Sequence, residues 1–92
     1  MLRVFTAAGL ALAAMTTVAS AASPGFCANY ASTAVRQAEV AHRTPACAPG
    51  AIGTRWTVNY RVHYGWCITA SPFAADQERA LRTRYLRSCR RY

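Results

Sequence analysis

The chain has 92 residues, a formal net charge of +8 and four cysteines. That length holds one small domain. All eleven cations are Arg and only three residues are acidic, Glu39, Asp76 and Glu78, so any partner chosen by charge is an anion, with planar carboxylate or phosphate favoured by guanidinium geometry.

The chain opens like an export signal. Arg3 supplies a positive start, Val4 to Val18 is an apolar run broken only by Thr and Gly, and Ala19-Ser20-Ala21-Ala22 offers small residues for a signal peptidase. Cleavage after Ala21 and cleavage after Ala22 both fit. The run is shorter than the ~20 apolar residues that cross a bilayer as a helix, so residues 1–22 are read as a cleaved signal peptide and 23–92 as the mature domain. That domain keeps ten Arg and the three acids, a net +7. A domain of about this size buries only about 60% of its unfolded surface and commonly needs a covalent staple.

Ser23-Pro24 is a helix opening, with Ser as cap and Pro at the first helical position. Cys27, Tyr30, Ala31, Ala34, Val35, Ala38, Ala41 and His42 then recur at three- and four-residue steps, which predicts a helix over 24–42 with one inward stripe. Its Ala residues allow close packing. Thr44-Pro45 ends it, and the two Pro and two Gly of residues 44–54 make a loop tied down by Cys47.

The stretch Gly53 to Cys67 carries both Trp residues, which are assigned to the core. With period two, Trp56, Val58, Tyr60, Val62, Tyr64, Trp66 and Ile68 alternate with polar or small residues, a strand pattern. With period 3.6, Trp56, Tyr60, His63, Tyr64 and Cys67 share a face. No second stretch has strand character, and a lone strand has nothing to pair with. Helix is therefore the favoured reading, with an α+β fold using 56–68 as a strand or hairpin as the alternative.

Ser71-Pro72 repeats the opening motif. A helix follows over 72–90, with Ala74, Leu81, Tyr85 and Cys89 as its inward stripe, Leu86 at the margin, and Glu78 spaced to pair with Arg82. Asp76 and Glu78 suit the early turns of that helix.

Cys27, Cys47, Cys67 and Cys89 lie 20, 20 and 22 residues apart. No pair is close enough for a zinc site or a Cys-x-x-Cys redox centre, and four cysteines in a short exported chain make two disulfides. An up-down-up arrangement of three helices puts Cys27 and Cys67 at one end and Cys47 and Cys89 at the other, so these are the predicted pairs. The fold class is all-α: a small, disulfide-stapled three-helix arrangement.

Cys27-Ala-Asn-Tyr30-Ala31, Ala34-Val35-Arg36-Gln37, Cys47, Gly53-Thr54-Arg55-Trp56, Asn59, His63-Tyr64-Gly65-Trp66-Cys67 and Glu78-Arg79-Ala80-Leu81-Arg82 through Leu86 and Cys89 together resemble a family of small exported, cysteine-containing alphaproteobacterial proteins that are uncharacterised. The resemblance spans nearly the whole mature chain. It implies helices in place of a sheet and transfers no catalytic residue.

The chemistry on offer is sparse. His63 is read as a satisfied core histidine, and His42 takes a similar position on the first helix; were they to meet, a metal or anion between them would lack a third ligand. Asp76 and Glu78 point in different directions on a helix, and no nucleophile motif occurs, so no enzyme, cofactor or metal is expected. Arg55-Trp56, Tyr60-Arg61 and Tyr64 interleave cations and aromatics in the manner of single-strand nucleic-acid binders, but a core role for the aromatics accounts for them, and no specific nucleic acid is assigned. The Thr44–Thr54 loop is the one candidate for a stapled inhibitor loop. The strongest candidate surface is the last helix, where Arg79, Arg82, Arg84, Arg87, Arg90 and Arg91 fall within 13 residues and concentrate the field. In the periplasm or outside the cell, that surface is expected to contact anionic lipid, polysaccharide or an acidic protein. The alternative is a cationic, membrane-active antimicrobial effector.

Overall fold

The structure, a computed structural model, describes residues 21–91. The signal peptide expected over 1–22 lies, except for Ala21 and Ala22, outside these residues. Three helices carry the fold: α1 (Pro24–Arg43), α2 (Tyr60–Ile68) and α3 (Pro72–Cys89). Two single turns of 3-10 helix, Ala48–Gly50 and Thr54–Trp56, lie on the connection between α1 and α2.

The caps of α1 and α3 are the ones their sequences specify. Ser23 Oγ accepts from the Phe26 N–H at 3.2 Å, and Ser71 Oγ accepts from the Ala74 N–H at 3.1 Å; each satisfies a backbone donor that the first turn leaves orphaned. α1 ends at Arg43, where Thr44 turns extended ahead of Pro45. Its inward face is Cys27, Tyr30, Ala31, Ala34, Ala38 and Ala41, all buried. Val35 sits at the margin and His42 is exposed, so the stripe is narrower than the periodicity suggests. The four Ala on that face let α1 pack against both other helices, whereas α2 and α3 barely touch each other.

Among the described residues there is no strand, and the α+β alternative falls. The central stretch is nevertheless not one helix. Gly53 has φ +88° and ψ 179°, a conformation essentially reserved for glycine, and it opens the turn that carries Trp56 inward. Residues 57–59 are extended. Thr57 Oγ1 accepts from the Asn59 N–H, and Asn59 Oδ1 accepts from the Arg61 N–H at 3.0 Å, starting α2 seven residues later than Gly53. The break divides the two Trp residues. Trp56 is buried, while Trp66 is 41% exposed, which corrects its assignment to the core.

Both predicted disulfides are present: Cys27–Cys67, with Cα atoms 5.6 Å apart, and Cys47–Cys89, at 5.1 Å. Each closes about 40 residues and is worth on the order of 4 kcal/mol in the chain-entropy account. They are the mark of an oxidising, non-cytoplasmic environment. Each also centres a small core. Ala38, Ala41, Ala51, Trp56 and Leu86 surround Cys47–Cys89. Ala22, Tyr30, Ala34 and Ala75 surround Cys27–Cys67. No helix among the described residues is long and apolar enough to cross a membrane.

Candidate functional site

α3 decides what the protein shows to its surroundings, because its rotation about its own axis sorts its four Arg residues between core and solvent. Its buried residues are Ala75, Arg82, Leu86 and Cys89, at spacings of seven, four and three. This corrects the stripe expected from hydropathy: Leu81 is 36% exposed, Ala74 and Tyr85 are half-buried, and Leu86 is in the core.

Arg82 is the cause of the difference, and it leaves the contact set. It is 1% exposed. Burying a guanidinium is costly unless it is hydrogen-bonded, and here each of its three nitrogens has an acceptor. Nε donates to Arg55 O at 3.3 Å, Nη1 donates to Glu78 O at 3.3 Å, and Nη2 donates to the Tyr30 hydroxyl. The guanidinium carbon also lies 5.2 Å from the Tyr30 ring centroid, a cation–π distance. The expected Glu78–Arg82 ion pair is therefore absent. Glu78 instead takes Arg55 in a two-pronged pair, Nε to Oε1 at 2.8 Å and Nη2 to Oε2 at 3.0 Å. This carboxylate holds Arg55 charged to still higher pH than usual. Asp76 pairs with Arg79, which is half-buried.

Arg84, Arg87, Arg90 and Arg91 are left. All four are exposed, and among the described residues none is in an ion pair. Arg84 and Arg87 lie a turn apart on the side of α3 opposite Arg82; Arg90 caps the helix and Arg91 follows it. The Cys47–Cys89 bridge pins the helix end from which they project.

Two hollows flank this helix. One, of about 360 Å³, lies between the Ile52–Arg55 turn, α2 and α3, with Arg82 and Tyr30 at its base and Trp66 and Val62 on its wall. The other, of about 320 Å³, brings Trp66, Leu81 and Arg84 together. Trp66 and Glu78 border both. Exposed apolar side chains thus lie directly beside Arg84, the first of these four Arg residues.

The two histidines serve the backbone. His42 Nε2 donates to Trp56 O at 2.7 Å and His63 Nε2 donates to Thr57 O at 2.7 Å; a carbonyl only accepts, so Nε2 carries the proton in both rings. Two consecutive carbonyls, at the end of the 3-10 turn and the start of the extended link, are fixed from two different helices. His63 is buried as expected, and that burial lowers its pKa despite the Thr57 bond, with Arg82 adding to the effect. Burial raises the Tyr30 pKa, against the pull of Arg82. Gln37, on α1, donates to Arg79 O and Thr83 Oγ1 on α3. Among the described residues no group of three or more His, Cys, Asp or Glu is placed to hold a metal.

Sequence reasoning missed Arg82 as a core residue and Asn59 as a helix cap. Asn at 59 is a cap residue by type and could have been found. Nothing local distinguishes Arg82 from its five Arg neighbours. Comparison with models of known protein families, with curated proteins and with solved structures finds no match.

Proposed function

We propose that this is a small exported, non-enzymatic protein that binds anionic components of the cell envelope through α3, with phosphate-bearing lipid the first source to test. The observation that carries this reading is the set of four exposed Arg residues, Arg84, Arg87, Arg90 and Arg91, which among the described residues stand outside the ion pairs, at a helix end held by a disulfide. Guanidinium groups recognise phosphate in a fixed, two-pronged geometry, and a cross-linked scaffold reduces the entropy lost in presenting them. Trp66 and Leu81 beside Arg84 add apolar contact of the kind a lipid interface accepts. The apolar leader and the two disulfides support export.

Vesicles with and without anionic lipid test the reading. The oxidised protein binds the anionic vesicles at 10 mM salt and is largely released at a few hundred millimolar, as the Debye length shrinks from about 30 Å to below 10 Å. Binding that is equal at both salt concentrations, or equal on neutral vesicles, contradicts it. Release by soluble anionic polysaccharide but not by anionic lipid shifts the ligand to the polysaccharide. A membrane-active effector shares this surface; release of an entrapped dye at saturation selects that reading.

A further inference from the structure

Ala22 is part of the packed fold. It is 5% exposed and packs in the core around Cys27–Cys67 with Tyr30, Ala34 and Ala75. Its backbone nitrogen donates to Ala70 O at 2.9 Å. Ala70 stands just beyond α2, where Thr69 and Ala70 already bond back to Trp66 O and Cys67 O. Ala21, one residue earlier, is exposed.

We infer that the processing site is the Ala21–Ala22 bond, and that the new α-ammonium of Ala22 is a structural group, seated on Ala70 O at the end of α2. The inference rests on the export reading above. Hydrolysis by one water leaves a carboxylate on Ala21 and an ammonium on Ala22. The two possible sites then differ in both packing and charge. Cleavage after Ala21 retains the Ala22 methyl in its seat and places the positive charge against a carbonyl at the negative end of α2. Cleavage after Ala22 removes that methyl and puts the charge on Ser23, the cap of α1, against the positive end of that helix. The sequence agrees independently: Ala19 and Ala21 occupy the −3 and −1 positions of an Ala-x-Ala site.

The full chain, expressed with its leader and no N-terminal tag in an exporting bacterium, is read by intact mass and N-terminal sequencing. A single species beginning at Ala22 is expected. A chain beginning at Ser23 overturns the inference and leaves the export reading standing; an uncleaved chain overturns both. A second measurement tests the seat itself. Oxidised chains starting at Ala22 and at Ser23, each released from a fusion with no added residue, are compared by melting temperature. The Ser23 chain should melt lower by about 5 °C or more, and equal melting overturns the structural role of Ala22.

Discussion

Around Cys47–Cys89 the space is filled by Trp56, packed on Tyr85 with ring centroids 5.0 Å apart, together with Ala38, Ala41, Ala51 and Leu86. Around Cys27–Cys67 the large side chain is Tyr30, whose hydroxyl meets the buried guanidinium of Arg82 and whose ring lies edge-on to His63 at 6.4 Å. One end is closed by apolar mass and the other by a polar network. Arg82 connects them, since it holds Tyr30 at one side and the carbonyl of Arg55, the neighbour of Trp56, at the other. A domain too small for one large core has two small ones, each with its own staple, and one buried cation between them.

Removing a staple has the largest expected effect. The two bridges span 40 and 42 residues, so the chain-entropy argument gives each about 4 kcal/mol. Replacing either pair by Ala should then lower the urea-unfolding free energy of the mature domain by about that amount, a large part of the ~5–15 kcal/mol available to a native protein. A difference of more than 2 kcal/mol between the two variants would show that local packing, not loop closure, sets the value at each end.

Arg82→Met comes next. It keeps much of the buried stem but deprives the Tyr30 hydroxyl and the Arg55 and Glu78 carbonyls of their donor, for an expected loss of about 2–3 kcal/mol. Arg84→Met, on the exposed side, should change stability by less than ~0.5 kcal/mol. Equal effects in urea titration would contradict the buried role of Arg82.

A smaller and more local effect is expected at Gly50. A Cβ there would run into the Tyr85 hydroxyl, which donates to Cys47 O at 2.6 Å. Gly50→Ala must displace that phenol and should cost about 1–2 kcal/mol. The same change at Gly65, where nothing lies within 4 Å, should be neutral or stabilising, because Gly is a poor helix residue. Thermal melting of the two variants separates these outcomes.

The smallest effect concerns pH. The His63 pKa is lowered in the folded protein, so the unfolded chain binds a proton first as pH falls below about 6.5. Stability from this group is complete above that pH and declines below it. Tyr30 acts at the other extreme: its raised pKa makes the unfolded chain lose its proton first, and stability falls as pH rises past about 10. His63→Gln should flatten the acid limb of a melting-temperature profile; an unchanged limb would remove His63 as its source.

Much of the scaffold was legible from short-range chemistry. The Ser-Pro openings fixed where α1 and α3 begin, and the even cysteine spacing together with helix direction fixed the disulfides. Gly53 to Cys67 was harder because its aromatic and β-branched residues satisfy two periods at once, and the deciding residues, Gly53 and Asn59, act through backbone geometry that periodicity does not register. The rotation of α3 was misjudged for a different reason. Ranking by hydropathy places Leu81 inside and Arg82 outside, but three oxygens contributed by residues 30, 55 and 78 make Arg82 the better core residue. That information is tertiary and is not local to α3.

The claim that the Arg-rich end of α3 is a binding face, and not merely part of a basic protein, is tested most directly by two variants of equal charge. Arg84, Arg87 and Arg91 are replaced by Gln in one. In the other the replacements are at Arg36, Arg43 and Arg61, which are also exposed and, among the described residues, outside the ion pairs. Affinity for anionic vesicles at 0.1 M salt should fall at least tenfold in the first and two- to threefold in the second, the latter from reduced net charge alone. Equal losses in the two variants would contradict the account.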